Sequence, residues 1–525
     1  MSSLSNIVMR DDTKGNEADM HSLEFSSNMD AILEHRIHRK RAAQWARNLR
    51  FLTFDNGEID LGVENPKNFC QGQCTRCQLR IPPLAGHICS THASGHRPNV
   101  KSHEKRLKEY ADPCVHVKEA SCKDCLHIPL FPSHGKITRF RIRRLKPKNT
   151  KPSGLSSCCH FVAVSYCWSR QSAEKVAETK SDDELYQVLE ENLKTVRPIR
   201  APKDTIDRAV SFAAQNGIRM IWIDQVKYLR FIYTRSSHLP DIPPKECIEQ
   251  DNEHEKELGI QAMDYVYLRA DFSIGLFQAT MQQRHLDALL LSYEWRIGEN
   301  MRRRGPRPLK QCRSVRLKTL VEALRLVLED RWNTRAWVLQ EAFVSSGNMI
   351  LLFPRAKGVI VKGWSLICHD LSLTEIGIKL DLLQMCFEES GAIVTSWHGT
   401  KTWNNFLKRE ELSERLRWFQ PKTRHSHGIE FWTDASKPRQ MCNAAVAVSF
   451  LKHRDNHRVA DRLAIIANLC NYSIRLNTVN LERSQDRLSV CIFTLAIING
   501  DFSLMAPEFY CIPRGLNIRK FDQIQ

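Results

Sequence analysis

The chain has 525 residues, of which 42% are hydrophobic and 26% charged, a balance typical of a folded protein with room for several domains and unlike a disordered or fibrous one. Its formal net charge of +18 favours association with polyanions but says nothing about the fold, and local basic clusters at 35–41 and 302–304 supply part of the excess. No stretch approaches the roughly 18 apolar residues that cross a bilayer, and the acids Asp11 and Asp12 near the start are unlike a secretory signal.

The chain contains eighteen cysteines. Because no secretory signal is recognised, we expect them in a reducing compartment, the cytoplasm or alternatively the nucleus, where metal ligands and buried thiols are commoner than disulfides. The local basic clusters are also typical of a solvated basic face, so we do not expect nucleic acid to be the main partner.

Composition divides the N-terminal part into three segments. Residues 1–55 begin with a polar tail that we expect to be disordered, followed by a basic helix over 31–54. Residues 56–130 are rich in cysteine and histidine. Residues 131–158 are predicted to be a linker because they contain the run KPKNTKPSGLSS at 146–157.

The Cys/His-rich segment predicts a structural zinc module. Zinc takes four Cys or His ligands in a tetrahedron, and a Cys-x2-Cys pair supplies two of them from one tight turn. The predicted ligands are drawn from eight residues: Cys74, Cys77, Cys89, His92, Cys114, Cys122, Cys125 and His127. The spacings match no named zinc finger, so reduced thiols without metal remain the alternative.

Residues 159–347 alternate between short apolar runs and helical patterns. The runs at 161–165, 218–223 and 272–277 are predicted to be buried strands, and a helical pattern beginning near Asp204 lies between the first two. This alternation predicts an α/β fold with a mainly parallel sheet flanked by helices. Residues 348–525 are predicted to form a mostly helical C-terminal region that regulates or senses.

Three blocks stand out within this α/β segment. The first is VAVSYCW at 162–168 and the third is RWNTRAWVLQE at 331–341. The second is IWIDQ at 221–225, continued by ECIEQD at 246–251, and it runs on through Glu255, Lys256, Gln261, Met263 and Tyr267 to Ala270. In order and spacing they resemble the fungal heterokaryon-incompatibility (HET) domain over 159–347. The motif positions expected to line a cleft are Ser165, Tyr166, Trp168, Asp224, Cys247, Gln250, Arg335, Trp337 and Gln340.

The resemblance implies a fungal allorecognition factor that links recognition of non-self to programmed cell death, as in innate immunity. It also implies partners among other incompatibility or immune-type signalling proteins, and self-association. A zinc-containing regulator that binds nucleic acid is a further alternative, motivated by the charge and the Cys/His-rich segment.

The sequence departs from the family pattern in places. Ser169 follows the first block where the family usually has glycine, and Glu249 stands where it usually has Asn or Asp. Residues 226–245 split the second block, and twenty codons beginning with Val and ending with Lys are compatible with a translated, unspliced intron. A surface insertion, which a loop tolerates at modest entropic cost, is the alternative.

The third block also suggests an enzymatic hypothesis. Trp337 and Glu341 are four residues apart and so share a helix face, as in the helix that carries the catalytic glutamate of Toll/interleukin-1 receptor (TIR) domains. That likeness implies an NAD-cleaving hydrolase, with NAD as substrate and Glu341 stabilising an oxocarbenium-like transition state. A Trp/Glu pair on an amphipathic helix is also common in packing, and Arg331 and Arg335 could neutralise the acid. Cys167 is interpreted as a buried thiol, because no clear histidine partner follows.

Overall fold

The computed structural model describes residues 37–57, 125–132, 137, 139–145, 158, 160–167, 186–199, 201–224, 247, 253–290, 313–345, 348–361, 368–370, 374–384, 386, 429–434, 437–452, 454–456, 458–478, 481 and 487–505. Its strands are β1 (Arg50–Phe54), β2 (Arg139–Arg144), β3 (Phe161–Ser165), β4 (Gln187–Leu189), β5 (Val196–Pro198), β6 (Met220–Ile223), β7 (Phe272–Leu276), β8 (Met349–Pro354), β9 (Cys368–Asp370), β10 (Glu375–Lys379), β11 (Ile429–Asp434) and β12 (Lys437–Cys442). Its helices are α1 (Ile37–Arg47), α2 (Lys203–Gln215), α3 (Glu253–Arg269), α4 (Arg313–Glu329), α5 (Arg331–Thr334), α6 (Ala336–Val344), α7 (Ala444–Leu451), α8 (Asp461–Leu469) and α9 (Leu488–Ile498).

The chain divides into two compact units. The smaller unit takes in 50–162 and 180–222, and the larger unit takes in 1–49, 163–179 and 223–525. Within the described residues, no helix combines the length and apolar character needed to cross a membrane.

In the smaller unit the strand order is β5-β4-β2-β1-β6. Strand β2 runs antiparallel to β1 and parallel to β4, while β1 pairs antiparallel with β6 and β4 antiparallel with β5. Helix α2 ends next to Gly217, whose φ of +67° lies in the left-handed region that favours glycine. The helical pattern predicted to begin near Asp204 is this helix, which begins at Lys203 with Pro202 as the N-cap and Asp204 in the first turn.

Two expectations for the N-terminal part are wrong. The basic helix ends at Arg47, and 50–54 form strand β1 because Phe51, Leu52, Thr53 and Phe54 favour the extended state and pair with β2. Strand β2 itself lies inside the predicted linker, where its Ile and Phe side chains are buried.

In the larger unit the strand order is β3-β7-β8-β10-β9. Strands β7 and β8 are parallel, whereas β10 runs antiparallel to both β8 and β9. Strands β11 and β12 form a separate antiparallel pair. The α/β class is therefore confirmed, together with strands at all three apolar runs. The strand pairing is mixed, so the prediction of a mainly parallel sheet holds only in part.

The C-terminal region is helical only in part. It includes helices α7, α8 and α9, but it also supplies strands β8 to β12. One continuous hydrophobic core joins side chains from before residue 347, such as Leu324 and Leu339, to side chains well beyond it, such as Leu463, Ile466 and Leu495. The helical part of this region therefore shares a core with α4 and α6.

A close approach at Gly275 in β7 shapes this core. A Cβ atom at that position would lie 2.7 Å from Cζ2 of Trp332 and 2.8 Å from Cδ2 of Leu351. Glycine is therefore required for the indole of Trp332 to lie flat against the strand, where the indole is fully buried and packs against Phe277 with ring centroids 4.8 Å apart.

We expect Gly275→Ala to reduce the free energy of unfolding by on the order of 1–3 kcal/mol, because the added methyl overpacks a close contact. Thermal unfolding of the full chain measures the effect. Gly358→Ala is the matched control, because Gly358 has φ +83° and open space around it, so only backbone strain of about 1 kcal/mol applies. An equal loss in both variants would show that the close approach does not matter.

Truncation after residue 347 should abolish soluble folding of the larger unit. The shortened chain would expose the core faces of α4 and α6 that now pack against α7, α8 and α9. Soluble yield and the cooperativity of thermal unfolding are the measurements. A soluble truncated chain with a sharp unfolding transition would contradict the shared core.

Candidate functional site

Ser165, the last residue of β3, lies at the centre of a hydrogen-bonded cluster in the larger unit. The indole Nε1 of Trp332 donates to the carbonyl oxygen of Ser165 at 3.2 Å and to its Oγ at 2.9 Å. Both side chains are buried. This contact joins the first sequence block directly to the third.

Asp330 fixes Trp332 in this position. As the N-cap of α5 it accepts a hydrogen bond from the backbone N–H of Trp332 at 2.8 Å. Its second carboxylate oxygen accepts from the N–H groups of Gln278 and Ala279 at 2.9 and 2.8 Å, just after β7. The sequence analysis missed Asp330, although an Asp directly before a helix is a recognisable cap.

Arg335 lies between α5 and α6, where the backbone is extended. Its guanidinium donates to the carbonyl oxygen of Tyr166. The hydroxyl of Tyr166 in turn donates to the backbone carbonyl of Asp224 at 2.9 Å. The interruption between the two helices thus directs a positive charge toward the first block, and the first block contacts the second.

Glu341 on α6 is 5% exposed. Burial raises the pKa of its carboxyl above the usual range, and the charge of Arg335 and hydrogen bonds from the Ser165 and Tyr267 hydroxyls only partly offset that effect. Its Oε2 atom is buried and has no hydrogen-bond partner among the residues that the structure describes. Glu341 is therefore a buried acid near one arginine, with one carboxyl oxygen left unsatisfied.

Asp224 is the second acid of the cluster. Burial, and next the negative charge of Glu341, raise the pKa of Asp224 to about 7, against opposing effects of Arg335 and Lys256 and a further raising effect of Asp461. The residue is partly exposed, but its Oδ1 atom is inaccessible and no hydrogen-bond partner for it occurs in the described part of the chain. Two acids whose pKa values are both raised therefore lie close enough for the charge of Glu341 to affect Asp224.

Tyr267, in the last turns of α3, was missed as a site residue. Its hydroxyl can donate its single proton either to the carbonyl oxygen of Val164, 3.2 Å away, or to the carboxylate of Glu341. Burial, followed by the charges of Glu341 and Asp224, raises its pKa well above the usual value, so it stays a neutral donor. Tyr267 belongs to the second block, but only the tertiary fold brings α3 against β3 and so places its hydroxyl at the site.

The cysteines of the first two blocks are buried. Burial raises the pKa of Cys167, with Arg335 opposing, which supports the interpretation as an inert thiol. The Sγ of Cys247 accepts the N–H of Ile223 at 3.5 Å. Trp168 and Gln250, also predicted at the cleft, lie outside the described residues.

The remaining motif side chains face the C-terminal helices. The indole of Trp337 donates to Asp461 Oδ2 at 3.2 Å, and the Gln340 side chain accepts from Asn468 Nδ2 at 3.0 Å. Helix α6 thus directs Glu341 toward β3 and presents its other polar groups to α8.

Arg454, which is 1% exposed, anchors the segment before α8. It donates to the carbonyl oxygens of Asn333 and Arg335 at 2.8 and 3.2 Å and to Oδ1 of Asn333 at 3.2 Å. The third block is therefore held from both sides, by β3 and by residues beyond 450.

A separate cluster of metal-ligating side chains occurs in the smaller unit. Cys125, Cys158 and His160 are buried, and one ligand atom from each lies within 4.8 Å of the others, an arrangement that could hold a metal ion. Of the eight predicted ligands only Cys125 belongs to it, whereas His127 is exposed. The other six lie outside the described residues. Cys158 and His160 were not predicted as ligands, because Cys158 is the last residue of the predicted linker and His160 follows it.

Residues 161–227 and 245–341 match the family model described as Heterokaryon incompatibility protein (HET). The chain contains a HET domain. The match begins at β3 and ends at Glu341, so it encloses all three blocks, and the residues it leaves out, 228–244, fall within the predicted insertion. That segment lies outside the described residues, so its origin as an intron or a surface loop stays a prediction. No curated protein and no solved structure matches the chain.

The raised pKa of Asp224 predicts a pH-dependent stability. A folded-state pKa of about 7 exceeds the unfolded value, so the unfolded chain releases its proton first and stability falls as pH rises from about 4 to about 7. The Asn side chain in Asp224→Asn cannot ionise. The free energy of unfolding of this variant minus that of the original chain should therefore be about 2 kcal/mol higher at pH 8 than at pH 5.

Thermal unfolding at the two pH values measures this difference. Asp287→Asn, a substitution at an exposed acid on the surface, is the control and should show no such change. If the two variants respond to pH alike, Asp224 is ionised in the folded protein at neutral pH and the assignment is wrong.

Proposed function

We propose that this protein is a heterokaryon-incompatibility factor whose HET domain mediates programmed cell death triggered by non-self. One observation supports the proposal most directly: all three sequence blocks contribute to a single buried cluster around Ser165, Asp224 and Glu341. A cluster that existed only for packing would gain little from two acids with unsatisfied buried oxygens, because such oxygens cost roughly 1–3 kcal/mol each.

The same unsatisfied oxygens suggest how a trigger could act. A bound partner or ligand that supplied hydrogen bonds or positive charge to Glu341 and Asp224 would stabilise a different arrangement of α6. Such a ligand shifts the population only by the difference in its affinity for the two states. The partners we propose are other incompatibility or immune-type signalling proteins, or further copies of this chain.

The C-terminal helices belong to this mechanism in the proposal. Trp337, Gln340 and Arg335 are each in hydrogen-bonded contact with residues beyond 450, so any displacement of α6 must also change those contacts. We therefore expect the C-terminal helices to act together with the HET domain. An arrangement in which they form a regulatory domain that separates from it is less favoured.

A second candidate function is cleavage of NAD by a TIR-like mechanism. The observation that favours it is the pairing of Asp224, with a pKa of about 7, with Glu341. Glycoside-type cleavage uses two carboxyl groups of different protonation, one of which stabilises the positive charge that develops on the sugar. Water would replace nicotinamide on the ribose. Because Glu341 is 5% exposed, this mechanism requires α6 or its cover to move before a ribose could reach the carboxylate.

The decisive variant is Glu341→Gln in the full chain, expressed in a fungal cell and scored for viability. Gln keeps the shape and removes the charge, so folding should survive while toxicity is lost. Glu322→Gln, at a half-exposed acid on α4, is the control and should remain toxic. Persistent toxicity of Glu341→Gln would contradict a role of the cluster in killing.

Incubation of the purified chain with NAD separates the two candidates. Catalysis predicts release of nicotinamide that falls by about 100-fold or more in Glu341→Gln, in parallel with toxicity. Loss of toxicity without any NAD cleavage by the original chain would support signalling by contact and exclude the enzymatic candidate.

A further inference from the structure

The cluster of Cys125, Cys158 and His160 has the geometry of a zinc site. The Sγ of Cys125 lies 3.5 Å from Nδ1 of His160. A tetrahedral zinc ion with Zn–S of about 2.3 Å and Zn–N of about 2.0–2.1 Å places such a sulfur and nitrogen roughly 3.6 Å apart. The Sγ of Cys158 is within 4.8 Å of both, and all three residues are buried.

Local structure holds each ligand in place. A turn fixes Cys125, whose carbonyl accepts the N–H of Ile128 at 3.0 Å. The buried guanidinium of Arg219 donates to the carbonyl of Ile128 at 2.5 Å. The N–H of His160 donates to the Sγ of Cys158 at 3.5 Å, the kind of second contact that stabilises a metal-bound thiolate.

The surroundings favour a structural ion. Ile128 and Phe161 next to the ligands are fully buried, and Phe161 packs against Phe51 of β1 with ring centroids 5.0 Å apart. A ligand set of two thiolates and an imidazole selects zinc over the hard cations magnesium and calcium. A Cys125–Cys158 disulfide would leave the imidazole without a comparable role and is disfavoured in a reducing compartment.

We propose that Cys125, Cys158 and His160 bind a structural zinc ion that fastens the segment 125–131 to the start of β3. Among the described residues these three side chains converge, and the fourth coordination position is left to water or to a ligand from elsewhere in the chain. The site is independent of the proposed killing function. It also differs from the predicted module, because two of its three ligands lie outside the Cys/His-rich segment.

The test measures zinc bound to the full chain purified under reducing conditions. His160→Ala and Cys158→Ala should each lose about one equivalent of zinc relative to the original chain and unfold at lower temperature. Cys386→Ala, at a cysteine that is equally buried in the other unit, is the control and should keep its zinc. Because upstream cysteines could bind zinc as well, the test rests on the difference in zinc content between each variant and the original chain.

His160→Cys preserves a zinc ligand and addresses the case in which the alanine variants do not fold. It should retain the zinc, and after exchange for cobalt its thiolate-to-cobalt absorption from this site should rise about 1.5-fold, from two thiolates to three. Unchanged zinc content in the alanine variants would overturn the proposal. So would an unchanged cobalt spectrum in His160→Cys, or a Cys125–Cys158 disulfide in the reduced protein.

Discussion

The indole of Trp332, hydrogen-bonded to Ser165, is the contact on which the arrangement of the site depends. It requires a residue without a side chain at Gly275, because any Cβ there would meet the ring at less than 3 Å. It also requires Asp330, which caps α5 and simultaneously binds the backbone after β7. Once the indole is in place, Arg335 lies between α5 and α6 and Glu341 lies on α6, and both reach the end of β3.

In this cluster burial raises the pKa of the two acids and the charge of Arg335 lowers it, and the effect of burial is the larger. Arg335 lies close enough to lower the pKa of both Glu341 and Asp224, yet both values remain raised. The reason is that desolvating a carboxylate can cost more than one neighbouring cation returns. Two acids that each have a buried oxygen without a partner among the described residues are costly to maintain, and sites that carry such a cost are often functional ones. This is why we connect the HET domain's activity with these residues.

Residues beyond 450 supply hydrogen-bond partners for the polar side chains of α6. A helix that is buried on most of its surface must satisfy its polar side chains internally. Gln340 and Trp337 do so through Asn468 and Asp461. The backbone between α5 and α6 is held by Arg454. The family match ends at Glu341, but the packing around that residue continues well into the C-terminal region.

The sequence by itself determined the local elements and the family. Apolar runs predicted the buried strands β3 and β6, helical periodicity predicted α2, and the three blocks identified the HET domain, since these signals depend on neighbouring residues. It predicted mainly parallel pairing and missed β1, because strand partners far apart in the chain leave no local trace. Tyr267 and the grouping of Cys158 and His160 with Cys125 were likewise decided only by the tertiary structure. Each depends on segments that are distant in sequence being brought within a few ångströms by the packing of the core.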